Sequence, residues 1–514
     1  MRGFLASSIG VTCAAALVLP LTPPALAATA RPAPGAEVAT RGATVATASL
    51  GAGAERRTAA PTVRPEGTEP AVPGSTQSLP LAPLTHDRVA GAPVEQGLSR
   101  RDVPHFSLVG VVWDDPDAEL HGRVQVRTRA AGTGIWSDWQ DVETHNSDHA
   151  ADPGTAERTS GRVRGSTAPL WVGESDGVEV RVTAEAVPVR SKEAVRGSGE
   201  PTADPTPAPS ADTEVVSPLP AGLRLELVDP GDAAPAPDDP AGAPRPGSLK
   251  AESGETAETL AASSAADAAA SAANVELAPL GAAEIPALGR AETERELFAL
   301  RGTELTKEQR AKPYIGPRPR IVTRRGWGAN ERWRERNFAY TKKVKAAFVH
   351  HTATGDRYRC SQVPSLIRGI YRYHVKSMGW RDIGYNFLVD KCGNIYEGRA
   401  GGVAKPVLGA HTLGFNSDSM GIAVLGSYGT TKPSGAAVRA IARLTAWKLG
   451  LFGINPRGKT YLKSGGGNLY RKGKNVRLNA ISGHRDGYST ECPGWQLYRK
   501  LGTARTTAAR YQGR

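Results

Sequence analysis

Apolar residues make up only 39% of this 514-residue chain and aromatic residues only 6%. A chain this polar, with 58 glycines and 39 prolines, is expected to leave part of its length unpacked, although it is long enough for two or three domains. Beyond the N-terminus no run is apolar enough to cross a bilayer, so no membrane span is expected. No His-Glu-x-x-His pattern occurs, which removes the standard metalloprotease base, and no internal repeat is visible. Cysteine is scarce at four residues. Acidic residues are scarce where basic ones gather: residues 301–514 hold 40 Lys and Arg against 11 Asp and Glu, or +29, whereas residues 1–300 hold 24 against 40, or −16.

A basic C-terminal half implies an anionic partner or a solvated surface. Nothing in it resembles a helix-turn-helix or an RNA-binding sheet, and the N-terminus points away from nucleic acid. Arg2, the apolar run Ile9–Leu21 and Ala25-Leu-Ala27 read as a signal peptide over residues 1–27, giving a secreted protein. Cys13 leaves with it, since Thr12 fits a lipid-attachment box poorly. Cys360, Cys392 and Cys492 remain in a compartment where disulfides persist.

Residues 28–80, rich in Ala, Pro, Thr and Gly, read as a disordered leader. Alternating segments such as Gly122-Arg-Val-Gln-Val-Arg-Thr128 mark a smaller all-β, sandwich-like domain over 81–230, with a Ser/Pro/Thr-rich insert at 191–218. Its Trp113, Trp136, Trp139 and Trp171 are read first as packing residues and second as a carbohydrate-stacking face. Residues 231–300 read as an Ala/Pro-rich linker, because the Ala-rich stretch 256–273 has helical propensity but no apolar stripe. Residues 318–501 have an α/β pattern: a strand ending at His350, a helix from Val363, a hairpin turning at Lys391–Asn394, a second helix over 436–449 and a last strand over 476–482. The Gly-rich basic segment 453–476 reads as an inserted hairpin or loop, either simply solvated or a contact for an anionic polymer.

Chemistry concentrates in Ser482–Gly494. His484 and Cys492 flank a short loop carrying Thr490, and both side chains are good zinc ligands. A third ligand is needed, and Val349-His-His-Thr-Ala supplies candidates. Neighbours on a strand face opposite sides, so only one of His350 and His351 enters the site. Two imidazoles and a thiolate, with a fourth position open to water, suit hydrolysis of an amide or ester. From the residues alone, a structural histidine pair is the default and a core Tyr385 with a satisfied hydroxyl is the favoured reading.

These pieces belong to a longer pattern. Arg325-Gly-Trp-Gly-Ala, Val349-His-His-Thr-Ala, Trp380-Arg-Asp-Ile-Gly-Tyr-Asn-Phe-Leu, Tyr396-Glu-Gly-Arg, Gly409-Ala-His-Thr, and Gly483-His-Arg-Asp with Thr490-Glu-Cys-Pro-Gly occur in one order. Together they resemble the peptidoglycan recognition protein family, the type-2 N-acetylmuramoyl-L-alanine amidases, over about a third of the chain. The resemblance implies a mixed central β-sheet flanked by helices. It implies Zn2+ on His350, His484 and Cys492, with Tyr385 and Thr490 as catalytic residues. It places His374, Trp380, Asn386 and His411 along a groove for peptidoglycan. The activity implied is cleavage of the amide between N-acetylmuramic acid and L-alanine, the alternative being a non-catalytic recognition protein. Ala400-Gly-Gly follows Arg399 where many animal members have Gly-Trp, which leaves the choice of stem-peptide diamino acid open. Cys360 and Cys392 remain for a disulfide, or for two free thiols.

Overall fold

Two antiparallel and mixed sheets account for the architecture. The computed structural model describes residues 74–89, 92–189, 213–231 and 257–514, all within one compact unit spanning Gly67–Arg514. The expected signal peptide, nearly all of the leader, most of the insert and the first part of the linker lie outside the described residues.

The N-terminal sheet is antiparallel throughout and has eight strands. Its main path runs Ser75–Pro80, Arg224–Asp229, Glu95–Trp113, Leu170–Ala184, Gly122–Ala130 and Gln140–Val142. Ser75–Pro80 pairs along its full length with Arg224–Asp229, so the sheet begins a few residues before the expected start at 81. Alternation sends Val124 and Val126, with Val178, Val180 and Val182, into one core. Trp113 and Trp171 are buried. Trp136 and Trp139 instead lie under arginines: Arg100 over Trp136 at 5.0 Å and Arg181 over Trp139 at 4.3 Å.

The second sheet has seven strands, ordered Glu284–Ile285, Ile321–Val322, Ile395–Glu397, Phe387–Val389, Ser419–Val424, Ala346–His351 and Ile481–Gly483. Ala346–His351 lies parallel to both neighbours, with Val349 opposite Gly483. The helices Gly435–Leu451 and Leu501–Tyr511 cover one face with Ile441, Leu444, Trp447 and Leu501. The helix Val363–Arg372 covers the other, and runs into a π turn over Tyr373–Ser377. Cys360 and Cys392 form a disulfide tying the start of that helix to the hairpin turn. Lys459–Lys463 and Asn475–Asn479 form the inserted hairpin.

The two sheets share a core. Leu108, Val112, Trp171 and Val228 from the first pack with Leu366, Ile367 and Ile370 of the helix. Tyr373 donates to the Thr167 carbonyl at 3.1 Å, and Ser377 donates to buried Glu226 at 2.7 Å.

The linker expectation fails over its second half. Ala257–Ala272 is a helix, and Glu284–Ile285 and Arg290–Arg301 continue the α/β layer. Its anchor is polar, which an apolar-stripe argument does not detect. Buried Asn274 donates to both oxygens of Glu397 at 2.9 and 3.0 Å and accepts from the Val403 amide at 2.8 Å. Leu277, Ile285 and Leu297 then enter the core. Burial pushes the Glu397 carboxyl up to about 7, against the Asn274 bonds and the Arg324 charge.

Asn274→Ala strips buried Glu397 of its side-chain donor and leaves it only the Arg324 amide, at 3.2 Å. It should cost about 2–4 kcal/mol of stability, read as a lower urea midpoint, and should expose Ala257–Ala272 to proteolysis.

Candidate metal centre

Ligand sites in α/β sheets form at the carboxyl ends of parallel strands, where side chains leave the sheet together. The pairing of Val349 with Gly483 brings the next residues, His350 and His484, out side by side. Their ring centroids are 4.5 Å apart and both are fully buried. Gly483 enters a tight turn in which its amide donates to Asp486 Oδ2 at 2.9 Å. The loop then folds back, so that the Arg485 amide meets the Cys492 carbonyl at 3.0 Å. Cys492 Sγ ends 3.7 Å from His350 Nδ1.

These distances suit a metal. With Zn–S near 2.3 Å and Zn–N near 2.0–2.1 Å, the edge of a tetrahedral site is about 3.5 Å. Among the described residues neither buried ring nitrogen of His484 has a partner in good hydrogen-bond geometry, an unfavourable state for an imidazole unless it is a ligand. Burial holds His350 neutral and pushes His484 down to about 3 despite Asp148, so both rings carry free lone pairs. Burial also pushes the Cys492 thiol up, a shift that a bound divalent cation would reverse.

The cluster has a fourth member that the sequence reading missed. His149, from the N-terminal β-sheet unit, lies within 4.8 Å of the other three by ligand atoms. A fourth side open to water was expected; the His149 ring lies there, 5.1 Å from that of His350 and 4.5 Å from that of His484. No motif pointed to His149, which stands 343 positions before Cys492.

His351 is outside the cluster and accepts from the Tyr428 amide at 3.3 Å. Tyr385 is buried with its ring 5.6 Å from that of His350. Burial, reinforced by Cys492 and Asp148, raises its phenol well above the ordinary value, so it remains a proton donor. The Thr490 hydroxyl accepts from the Cys492 amide at 3.2 Å; it shapes the ligand loop and is not part of the four-residue cluster.

Two groove expectations are corrected. His411 sits behind the site, its Nδ1 3.2 Å from His350 Nε2. It is wedged so closely that a Cβ on either Gly409 or Gly421 would strike its ring. Asn386 is committed to backbone: it donates to the Val407 carbonyl at 2.9 Å and accepts from the Gly421 amide at 2.8 Å. His374 and Trp380 stack at 4.6 Å, with the His374 ring 5.8 Å from Tyr385, and form one wall of the site.

Residues 340–495 match the family described as N-acetylmuramoyl-L-alanine amidase, and residues 59–213 match the Rv3811 N-terminal galactose-binding domain-like family. Peptidoglycan-recognition protein SC2 of Drosophila simulans is 31% identical over 183 residues, covering 36% of this chain and 85% of that protein. The human N-acetylmuramoyl-L-alanine amidase is 33% identical over 193 residues, covering 36% of this chain and 28% of that protein. The chain belongs to the peptidoglycan-recognition protein and type-2 amidase family. Among solved structures, Drosophila PGRP-LB aligns at 26% identity and a TM-score of 0.28, over 36% of this chain and 92% of that one.

Within this amidase domain His411 orients the candidate ligand His350. An Nε2–H donated to His411 leaves Nδ1 free toward Cys492. His411→Leu should therefore weaken divalent-metal uptake about ten- to a hundredfold in competition with a chromophoric chelator, without unfolding the domain.

Proposed function

We propose that the protein is a secreted, zinc-dependent N-acetylmuramoyl-L-alanine amidase that cleaves the bond between the lactyl group of N-acetylmuramic acid and L-alanine in peptidoglycan. The observation that carries this reading is Cys492. A thiol converging on two neutral imidazoles, beside a protonated phenol, is a ligand set with a donor next to it. Recognition alone would require neither the thiol nor the phenol at that spot.

His350, His484 and Cys492 would hold zinc, whose chemistry there is to acidify a water toward a pKa of about 7 and to polarise the scissile carbonyl. Tyr385 donates a hydrogen bond to the oxyanion that develops on that carbonyl, from a site where burial strengthens the bond. His411 fixes the tautomer of His350. His374 and Trp380 offer a stacked aromatic wall against which the stem peptide packs. The disulfide Cys360–Cys392 fits an oxidising compartment, which supports export by the N-terminal segment. Lys459, Lys463, Arg471, Lys472, Lys474 and Arg477 are exposed on and beside the inserted hairpin and suit anionic wall polymers.

The test is product identity. Walls of known composition, incubated with the full chain for long enough to score a slow reaction, should release stem peptides with a free L-alanine amine, identified by mass spectrometry. Cys492→Ala and chelator treatment should abolish release. Tyr385→Phe should retain metal and lose roughly 10²–10³ in rate. Wall binding with no such product at any time would make the protein a recognition module instead.

A further inference from the structure

The segment joining Gln140–Val142 to Gly165–Ser166 belongs to the N-terminal sheet but lies across the amidase domain. Its bonds run along the whole crossing. The Asp148 carbonyl accepts from the Leu413 amide at 2.9 Å. The Ala150 carbonyl accepts from Asn416 Nδ2 at 2.8 Å, and Asp152 Oδ1 accepts from the Gly414 amide at 2.8 Å. Glu157 takes a two-point ion pair from Arg399, at 2.9 and 2.8 Å, and the Arg381 amide at 3.2 Å. The Arg164 amide donates to Met378 at 3.1 Å. Connecting loops ordinarily run over the surface, yet Asn146, Asp148, His149, Ala150, Ala151 and Glu157 are all buried.

His149 sits at the point where this strap crosses the cluster. Its Nε2 lies 3.4 Å from Cys492 Sγ, the spacing of two ligands on one tetrahedral ion. Its Nδ1 lies 2.9 Å from Asp148 Oδ1. A carboxylate holding the far nitrogen of an imidazole is the usual support of a metal-bound histidine. Asp148 Oδ2 also approaches His484 Nδ1, at 3.7 Å, so one carboxylate faces two of the four rings and residues.

We propose that His149 is the fourth protein ligand of the metal site, so that the chain folds into a latent, four-ligand state that opens when the 143–164 strap leaves the cleft. The inference rests on the three-ligand zinc reading above. Three protein ligands leave a position for water, whereas four make a closed site. The same strap that supplies the ligand is held down beyond it, with Asp152 against the 414–416 turn and Glu157 against Arg399. When the strap lifts, Glu157 leaves Arg399, whose guanidinium keeps its bonds to the Ile383 and Leu408 carbonyls.

Cobalt(II) is the probe, loaded into the full chain of wild type, His149→Ala, the strap variant Asp152→Ala/Glu157→Ala, and Cys492→Ala. Acetohydroxamate, a small anion that needs an open position, is then titrated while the visible spectrum is recorded. Wild type should show a Cys492-dependent thiolate band and no response to hydroxamate. His149→Ala should keep the band and shift saturably, and should release product from walls at least tenfold faster than wild type. The strap variant, which leaves all four ligands in place, should respond between the two. An equal hydroxamate response in wild type and His149→Ala, with the thiolate band present, overturns the assignment of His149 and leaves the three-ligand site standing. Absence of a Cys492-dependent band in every variant overturns the three-ligand reading and this inference with it. Should His149→Ala fail to fold, the strap variant decides, and a response no larger than that of wild type counts against the proposal.

Discussion

The parallel register that sets Val349 against Gly483 is the constraint from which the site follows. Two strands that end together must deliver their next side chains to one place, and here those are His350 and His484. A loop that reverses within nine residues then returns Cys492 to the same point. None of this requires a ligand to be bound first. The backbone bonds of the loop and the Thr490 hydroxyl on the Cys492 amide hold it in place, so the ordering entropy of the ligands is met by folding rather than by binding.

The surroundings of the cluster decide what it is fit for. Burial keeps the imidazoles of His350 and His484 neutral and the phenol of Tyr385 protonated. A buried cluster of that kind is costly when its polar atoms have no partners, and among the described residues His484 has none in good hydrogen-bond geometry. A divalent cation answers that deficit directly: it accepts the lone pairs and, by its charge, brings the thiol to the thiolate. The same buried environment makes a hydrogen bond from Tyr385 strong where a reacting carbonyl would gain charge.

Much of this was legible in the sequence because the motifs sit on regular elements. Strand periodicity allowed only one of His350 and His351 into the cluster, the family pattern named His350, and His350 is the one found there. The hairpin around Lys391–Asn394 and the two long helices followed from turn chemistry and apolar spacing. What failed lacked a period to read. Asn274 anchors Ala257–Ala272 through side-chain bonds to a carboxylate far along the chain, and an Ala-rich helix shows no stripe to announce it. His411 and Asn386 sit in motifs of the family pattern, but which way each side chain turns depends on two glycines and a neighbouring carbonyl. His149 is the extreme case: its meaning exists only once a loop of one sheet is laid across another.

That last point bears on why a closure of this kind takes the form of a tethered loop. A segment held at both ends beside the site competes at an effective concentration in the millimolar range, so modest contacts suffice to keep it seated. Those contacts are hydrogen bonds, most with a backbone group on at least one side, and one buried ion pair, which water can replace when the strap lifts. A strap built on apolar side chains would expose them to water on release and resist opening. The small apolar share of 146–158, where Ala150 and Ala151 pack and Val163 follows at the far end, fits a cover that seats firmly yet separates without exposing a core. The shared core of Leu108, Val112 and the Val363–Arg372 helix can meanwhile hold the two sheets together, so that opening is a motion of the loop and does not require the units to part.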